Sequence, residues 1–235
     1  MEINKDLPNS LDEQLLGDCC ELDTASLSDA LDSLGIAGGL PGLVQRVPGT
    51  RCVGFAYTVR YQPVGDEAGF KNAANYIDQV PAGSVIVSSN AGRADCTIWG
   101  DILTHVAVRR NISGTLIDGA ARDIDTINQV RYPLFSKAVF MQSGKNRVQL
   151  SATQVPVEIG GVAVHPGDLI VADASGCLVI PRAQADEVVR RAKAVEETER
   201  RIIAEVERGS TLAEARALYR YDQPWLAAAA DAVKS

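Results

Sequence analysis

Apolar and polar residues in the first part of the chain alternate between a helical period and a strand period. Between Asp23 and Gly35, apolar side chains recur at i, i+3, i+4 and i+7 before a glycine, which predicts an amphipathic helix capped near its start by Thr24 or Ser26. Every second residue is large and apolar from Val53 to Tyr61, which predicts a strand. A further helix is predicted over 70–77.

The same alternation continues toward the middle of the chain. A short apolar run at 85–87 predicts a buried strand, and a helix is predicted to open near Gly100. A second buried strand is predicted over 115–117, ending at a turn formed by Asp118 and Gly119. This β/α alternation predicts an α/β fold with a central sheet covered on its faces and functional loops at the strand ends.

From Val155 the pattern changes to short strands separated by glycine and proline turns, which predicts a β-meander reaching about residue 180. A long charged helix with one apolar face is predicted over 183–208, followed by a shorter helix. The sequence therefore predicts an N-terminal segment 1–22, a main domain 23–182 and a C-terminal helical extension 183–235.

Composition and charge narrow the classes of function. The 235 residues are 46% hydrophobic and 23% charged, which is typical of a globular protein. The net charge of -7 argues against nucleic acid or an anionic membrane as a partner. Because the first nine residues are polar and no apolar run is long enough for a membrane span, we predict a cytoplasmic protein.

The cysteines and histidines offer little for catalysis or zinc binding. The five cysteines are odd in number and form no C-x-x-C motif, which favours reduced structural thiols over a disulfide framework or a thiolate zinc site. His105 and His165 are far apart in the sequence, which disfavours a histidine-built zinc site. Chemistry in this chain is expected to depend on carboxylates and arginine.

Two short segments combine residues suited to binding a small acid. Gly100 precedes a predicted helix, where free amide groups and the helix dipole attract a carboxylate. Arg122 and Asp123 follow a predicted buried strand. Arginine offers a planar two-pronged donor for a carboxylate, and aspartate offers a hard oxygen ligand for a divalent cation.

A purely structural interpretation of these residues stays open at this point. Asp118 and Gly119 form a common turn sequence, and Asp123 could cap the following helix while Arg122 pairs with Asp118. Asp101 near a helix start is favourable for the dipole alone.

The spacing Asp101-x20-Arg122-Asp123 and its surroundings resemble the RraA-like family over roughly Thr24 to Pro181. The resemblance also rests on the segments 28–32, 53–59, 99–100, 118–123, 133–135, 160–162 and 166–181. It implies a layered β/β/α, swivelling-domain-like fold with a central sheet. Active members of the family are class II pyruvate aldolases that depend on a divalent metal.

The resemblance also implies roles for individual residues. Asp123 would bind Mg²⁺ or Mn²⁺ directly, and Asp101 would hold the metal through water. Arg122 would grip the carboxylate and keto oxygen of a pyruvoyl group. The helix start would complete the carboxylate cradle, with Gly100 and the amides of Ile102 and Leu103.

The implied reaction is retro-aldol cleavage of a 4-hydroxy-2-oxo dicarboxylic acid to pyruvate and a second 2-keto acid, with oxaloacetate decarboxylase activity. The implied assembly is a homotrimer or hexamer in which Glu199 of a neighbouring subunit could reach the site. The alternative is a non-catalytic regulator that binds a ribonuclease. Because that branch of the family tends to lack the first acidic residue of the signature, Asp101 favours the enzyme.

The distal half of the substrate has several candidate cations in the sequence, with nothing to rank them: Arg51, Lys71, Arg93 and Arg147. The chain also departs from the family where glycine is usual. Asn111 stands at one such position, and Arg131 with Tyr132 replaces a glycine-containing turn. Asparagine tolerates the left-handed backbone, so Asn111 is expected in a turn.

Overall fold

The computed structural model describes residues 10–65 and 74–226, which fall into two compact units. The sheet unit is Gly38–Arg182, and the helical unit combines Ser10–Ala37 with the residues from Ala183 onward. This division differs from the one expected from the sequence, because the helix Thr24–Asp32 packs against the long C-terminal helix and so belongs to the helical unit.

The described residues form six α-helices and eleven β-strands. The helices are α1 (Ser10–Glu21), α2 (Thr24–Asp32), α3 (Asp101–Arg109), α4 (Ile124–Gln129), α5 (Ala185–Glu207) and α6 (Leu212–Tyr219). The strands are β1 (Val44–Gln45), β2 (Cys52–Pro63), β3 (Val85–Ser89), β4 (Thr97–Trp99), β5 (Gly114–Ala121), β6 (Leu134–Val139), β7 (Val148–Thr153), β8 (Val157–Ile159), β9 (Val162–Val164), β10 (Leu169–Ala172) and β11 (Cys177–Ile180).

The helical unit follows the predicted amphipathic patterns closely. The N-cap of helix α2 is Asp23 and not the predicted Thr24 or Ser26, since the Asp23 side chain accepts a hydrogen bond of 2.7 Å from the Ser26 amide. Helix α5 buries its apolar face and pairs Glu187 with Arg190 and Arg191 on its polar face. Helix α1 was not predicted, because its short segment lacks a clear helical period.

The sheet unit contains a curled nine-stranded sheet in the order β1-β6-β5-β3-β2-β10-β11, with β4 paired to β5 and β7 paired to β2. Strands β2, β3, β5 and β6 run parallel, and β4 is parallel to β5. The long strand β2 pairs with β10 near its start and with β7 near its end. The predicted central sheet and α/β class are confirmed.

Each face of the sheet carries its own apolar core, which gives the layered β/β/α arrangement. On one face, Ile86 and Ile117 pack in a cluster with Ala107 of α3 and Ile127 of α4. On the other face, the buried residues of β3, β5 and β6 pack against the β8–β9 hairpin and the β10–β11 pair. The candidate residues after Trp99 and Ala121 lie where two strands of this sheet end.

Three predicted elements differ from the structure. Strand β5 does not end at Asp118 and Gly119 but continues to Ala121, because β4 and β6 pair with its last residues. The meander is divided: β8 and β9 form a separate hairpin, whereas β10 joins the large sheet through β2. The helix predicted over 70–77 is a 3₁₀ turn at Asn75–Gln79, with 70–73 outside the described residues.

All five cysteines are free thiols, and four of them are buried. Burial raises the pKa of Cys52 to about 12, so this thiol stays protonated and unreactive at neutral pH. No helix in the described ranges is both long enough and apolar enough to cross a bilayer.

Candidate active site

The two candidate segments meet because the strands that precede them pair side by side. Strand β4 pairs in parallel with β5, with Trp99 opposite Ala121. The pairing continues beyond the strands, since the Arg122 amide donates a hydrogen bond of 3.0 Å to the Trp99 carbonyl. Parallel strands bring their carboxyl ends to one edge of a sheet, and Gly100 therefore lies beside the Arg122–Asp123 pair.

Asp123 adopts a backbone conformation that is unusual for a residue with a side chain. Its φ of 58° and ψ of 38° lie in the left-handed region, where aspartate is one of the better tolerated residues. Its carboxylate does not cap α4; instead, Oδ2 accepts a hydrogen bond of 3.0 Å from the Asp101 amide. Arg122 Nε lies 3.5 Å from the same oxygen. The capping interpretation of Asp123 is therefore wrong.

A glycine is required at position 100 because neighbouring side-chain atoms occupy the space that a Cβ atom would need. Its φ of -158° is extended backbone that any residue adopts. A Cβ atom built on it would lie 2.5 Å from Asp123 Oδ2 and 3.3 Å from Arg122 Cγ. The missing side chain therefore leaves the space in which the carboxylate and the guanidinium meet the start of α3.

Asp101 occupies part of the predicted carboxylate cradle. Its Oδ1 accepts a hydrogen bond of 2.7 Å from the amide of Ile102, one of the two amides that the resemblance assigns to the substrate. Short acidic side chains often bond a nearby backbone amide in this way. The amide of Leu103 remains the predicted donor, and the role of Ile102 requires Asp101 to move away.

The predicted pair of Arg122 with Asp118 is wrong. Asp118 is buried and pairs with Lys137, whose Nζ lies 3.4 Å from Oδ1. Alternation along β5 places Asp118 on the same side as Leu116, which belongs to the core on the β8–β9 side of the sheet. The acidic side chain beside Arg122 is therefore Asp123 and not Asp118.

A cavity of about 450 Å³ opens at this edge of the sheet unit. It is lined by five predicted site residues, namely Gly100, Asp101, Ile102, Leu103 and Arg122.

Trp99, expected only to pack, stacks on Tyr132 with 5.9 Å between ring centroids and donates from Nε1 to Thr104 Oγ1 at 2.9 Å. This stacking and hydrogen bond fix the first turn of α3. Buried Tyr61 also lines the cavity, and burial raises its pKa well above the ordinary value.

The oxygen atoms at this site fit a hard divalent cation with few protein ligands. Among the described residues, no donor is found for Asp123 Oδ1 or Asp101 Oδ2. The described part of the chain has no group of three or more histidine, cysteine or acidic side chains placed to hold a metal. One or two carboxylates supplemented by water suit Mg²⁺ or Mn²⁺, whereas Zn²⁺ favours nitrogen and sulfur ligands.

Glu199 lies on α5 in the helical unit, where it lines a cavity of about 280 Å³. Burial, followed by repulsion from Asp29, Asp23 and Glu196, raises the pKa of Glu199. Its predicted contribution to a neighbouring subunit's site stays a prediction.

Glu199→Gln is expected to raise the thermal midpoint by about 2 °C at pH 7. A carboxyl whose pKa is higher in the folded state loses stability as the pH rises through that pKa, so the gain should vanish near pH 4. Differential scanning calorimetry at both pH values measures the difference. Glu197→Gln is the control of opposite sign, because Arg200 and Arg201 lower the pKa of Glu197. A lower midpoint for Glu199→Gln at pH 7 contradicts the prediction.

The candidate cations for the distal half of the substrate lie elsewhere. Arg93 pairs with Asp95 at 2.7 Å, Arg147 donates to backbone carbonyls, and Arg51 is absent from the described cavity lining. Lys71 lies outside the described residues. The cavity is instead lined by Lys145, which the sequence analysis missed. The signal for it in the sequence is a glycine followed directly by a lysine.

A known family matches most of this chain. The family model described as "RraA-like: Aldolase/RraA" matches residues 24–179, and the chain belongs to this family.

Individual relatives extend the comparison. The chain is 48% identical to protein DlpA of Legionella pneumophila over 94% of its own length, but it spans only 35% of that longer relative. It is 35% identical to a Halalkalibacterium halodurans protein named "Putative 4-hydroxy-4-methyl-2-oxoglutarate aldolase", covering 72% of this chain and 78% of the relative.

Solved structures agree with the family and the fold. An uncharacterized protein from Pseudomonas syringae pv. tomato is 63% identical, with a TM-score of 0.81 over 87% of this chain and 97% of that one. Streptomyces coelicolor RraAS2, described as an unusual member of the RNase ES inhibitor RraA family, is 27% identical, with a TM-score of 0.74 over 86% of this chain and 98% of that one.

Proposed function

We propose that this protein is a lyase that cleaves a 4-hydroxy-2-oxo dicarboxylic acid to pyruvate and a second 2-keto acid, with Mg²⁺ or Mn²⁺ as cofactor. Oxaloacetate decarboxylation is part of the proposal, since both reactions pass through the enolate of pyruvate. The observation that carries the proposal is that Asp123 Oδ2 contacts both the Asp101 amide and Arg122 Nε, close to Gly100. The name of the Halalkalibacterium relative supports the same class of reaction.

Asp123 would hold the cation directly, and Asp101 would hold it through water. A divalent cation bound there supplies positive charge next to the keto oxygen, where negative charge develops as the C3–C4 bond breaks. The Arg122 guanidinium has the planar geometry to bind two substrate oxygens at once. The side chain of Arg122 is 40% exposed, so it is accessible to a substrate in the cavity.

Asp101 is the residue placed to move protons in this proposal. Its Oδ2 can accept a hydrogen bond from a water molecule that takes the proton of the C4 hydroxyl group, after which C4 becomes a carbonyl. The electron pair of the C3–C4 bond passes to C3 and the keto oxygen, and C3 then takes a proton from the same water. Trp99 holds the first turn of α3, and with it Asp101, in place.

The direct test is pyruvate release, measured with a coupled lactate dehydrogenase assay. The substrates are oxaloacetate and a series of 4-hydroxy-2-oxo acids, each with Mg²⁺, with Mn²⁺ and with a chelator. We expect release that requires the cation and returns when the cation is restored. Activity that a chelator leaves untouched would contradict the metal-dependent mechanism.

Arg122→Lys is expected to raise KM strongly and to lower kcat for every 2-oxo acid that is cleaved. Lysine keeps the charge but loses the fork that binds two oxygens, so kcat/KM should fall by about a hundredfold. Steady-state kinetics with oxaloacetate measure the change. Arg109→Lys, at the far end of α3, is the matched control. Wild-type kinetics for Arg122→Lys would rule out the clamp.

A second candidate is a protein-binding regulator of a ribonuclease, which the likeness to RraAS2 favours. Two assays on one protein sample distinguish the two functions. The enzyme releases pyruvate from a 2-oxo acid, whereas the regulator binds a ribonuclease without a 2-oxo acid and need not release pyruvate. Asp101 and the cavity beside it favour the enzyme.

Assembly into a homotrimer or hexamer remains part of the proposal. It is supported by exposed apolar side chains on the sheet unit, namely Ile102, Val139 and Met141, with 73%, 50% and 75% of their surface accessible. A partner chain that covers these side chains would remove their apolar surface from water.

A further inference from the structure

Thr104 is a fully buried polar residue near the start of α3. Its hydroxyl group donates a hydrogen bond of 2.9 Å to the Gly100 carbonyl and accepts one of 2.9 Å from Trp99 Nε1. A threonine within a helix often bonds the carbonyl four residues earlier. The position of this carbonyl distinguishes the contact from an ordinary helical one, because Gly100 lies directly beside Asp123.

The Gly100 carbonyl and the Asp101 amide belong to the same peptide group. A peptide group is planar, so donors that hold its oxygen also fix the direction of its N–H bond. Two donors hold this oxygen, namely the Thr104 hydroxyl group and the Thr104 amide, which donates at 3.1 Å. The N–H group of the same peptide donates at 3.0 Å to Asp123 Oδ2. One rigid peptide group therefore connects the Thr104 hydroxyl to the candidate metal ligand.

Trp99 determines which way the Thr104 hydroxyl group points. The indole N–H can only donate, so the Thr104 oxygen accepts from it and directs its own proton to the Gly100 carbonyl. Trp99 is itself held by stacking on Tyr132 and by the Arg122 amide, which donates at 3.0 Å to the Trp99 carbonyl. Hydrogen bonds in such a buried series strengthen one another.

We propose that Thr104 is a positioning residue that holds the Asp123 carboxylate ready for the divalent cation, acting through the peptide group between Gly100 and Asp101. This inference rests on the proposed function, in which Asp123 binds the cation. The Asp101 amide and Arg122 Nε occupy Oδ2 of Asp123. Oδ1, for which the described residues supply no donor, is the oxygen that remains available to the cation.

Loss of the Thr104 hydroxyl would remove one of the two donors on the Gly100 carbonyl and leave Trp99 Nε1 without an acceptor. The peptide group could then rotate, and its N–H would hold Asp123 Oδ2 less firmly. Groups that orient a metal ligand without touching the metal contribute to both affinity and activity. The expected result is weaker binding of the cation by an otherwise folded protein.

The first test compares Thr104→Val, which has a similar shape without the hydroxyl, with Thr104→Ser, which keeps it. In calorimetric titrations of the full chain with Mn²⁺, Thr104→Val should bind about tenfold more weakly, whereas Thr104→Ser should stay close to wild type. The kcat/KM values for oxaloacetate should follow the same order. Thr58→Val is the matched control, because buried Thr58 also donates from its hydroxyl to a carbonyl, that of Val155 at 2.6 Å.

The second test needs neither the cation nor a substrate. Labelling glycine carbonyls with ¹³C and aspartate amides with ¹⁵N selects only the four Gly-Asp peptide groups of the sequence in an NMR spectrum. Loss of one signal in Gly100→Ala identifies the Asp101 amide. A proton donated to a carboxylate resonates downfield, so Thr104→Val should move the Asp101 signal upfield and speed its exchange with solvent. Thr104→Ser and Thr58→Val should leave the signal in place.

Thr104→Val with wild-type Mn²⁺ affinity and a wild-type Asp101 signal overturns the role of Thr104. An equal loss in Thr104→Ser or in Thr58→Val also overturns it, because the cause would then be packing or stability. Thr104→Ala takes the place of a valine variant that fails to fold, since alanine is the best helix former. A wild-type protein that releases no pyruvate overturns the proposed function, while the Asp101 signal still decides whether Thr104 positions Asp123.

Discussion

Asp123→Asn is expected to reduce metal-dependent pyruvate release by at least about a hundredfold, because an amide oxygen is a far weaker ligand for Mg²⁺ than a carboxylate. Asparagine is the sharpest replacement at this position. It tolerates the left-handed backbone that Asp123 adopts, whereas alanine would add backbone strain to the loss of the carboxylate. Coupled kinetics measure the loss, and calorimetric titration with Mn²⁺ should show weaker binding.

The control for Asp123→Asn lies two residues further along the chain. Asp125 is an exposed carboxylate in the first turn of α4, and Asp125→Asn should leave both activity and Mn²⁺ binding unchanged. Equal thermal midpoints for the two variants would show that the fold is intact. Asp123→Asn with wild-type turnover and wild-type Mn²⁺ affinity would remove Asp123 from the metal site.

Gly100→Ala is expected to lower kcat/KM by a similar factor, about a hundredfold, although the new methyl group does not contact the reacting bond. The methyl group would fall 2.5 Å from Asp123 Oδ2, so the carboxylate must turn away from the Asp101 amide. The Arg122 side chain, 3.3 Å away, must also move. Steady-state kinetics with oxaloacetate measure the effect.

Gly176→Ala is the matched control for Gly100→Ala, since a Cβ on Gly176 would meet nothing within 4 Å. Both glycines have backbone angles that alanine can adopt, so the comparison isolates steric contact from backbone strain. We expect the control to keep full activity. If Gly100→Ala also keeps it, the close approach at Gly100 has no part in catalysis.

The succession of helices and strands was largely predictable, because the apolar period is a local property of the sequence. The predicted elements were wrong where pairing between strands distant in the sequence overrode the local preference of the residues. Asp118 and Gly119 are strong turn formers, yet both are buried within β5 because the strand is paired on both edges around them. Helix α1 has too weak an apolar pattern to be recognised before its partners are known.

The candidate residues could be named from the sequence, but their arrangement could not. The spacing and the family resemblance identified Asp101, Arg122 and Asp123. The bond from the Asp101 amide to Asp123 and the left-handed conformation of Asp123 depend on β4 lying beside β5, which no local pattern indicates. Lys145 was missed for the same reason, since its loop reaches the cavity through the contacts of Gln142 and Gly144 with Thr97.

The two departures from the family's glycine positions have different explanations. Asn111 has a φ of 56°, as its tolerance of the left-handed region predicted. Arg131 has a φ of 54°, which its residue type does not favour. A tertiary contact stabilises it, because Arg131 Nη2 donates a hydrogen bond of 3.1 Å to the Gly49 carbonyl.

Strand β5 is buried at all eight of its residues and paired on both edges, and Arg122 and Asp123 are the next two residues along the chain. Amide groups in such a strand exchange with solvent only through the largest cooperative openings of a protein. This candidate pair is thus attached to the last part of the sheet to open, whereas Lys145 lies on an exposed loop. Denaturant should abolish turnover in the same transition that unfolds the sheet. The candidate residues would therefore keep their positions through the smaller openings that expose other parts of the chain.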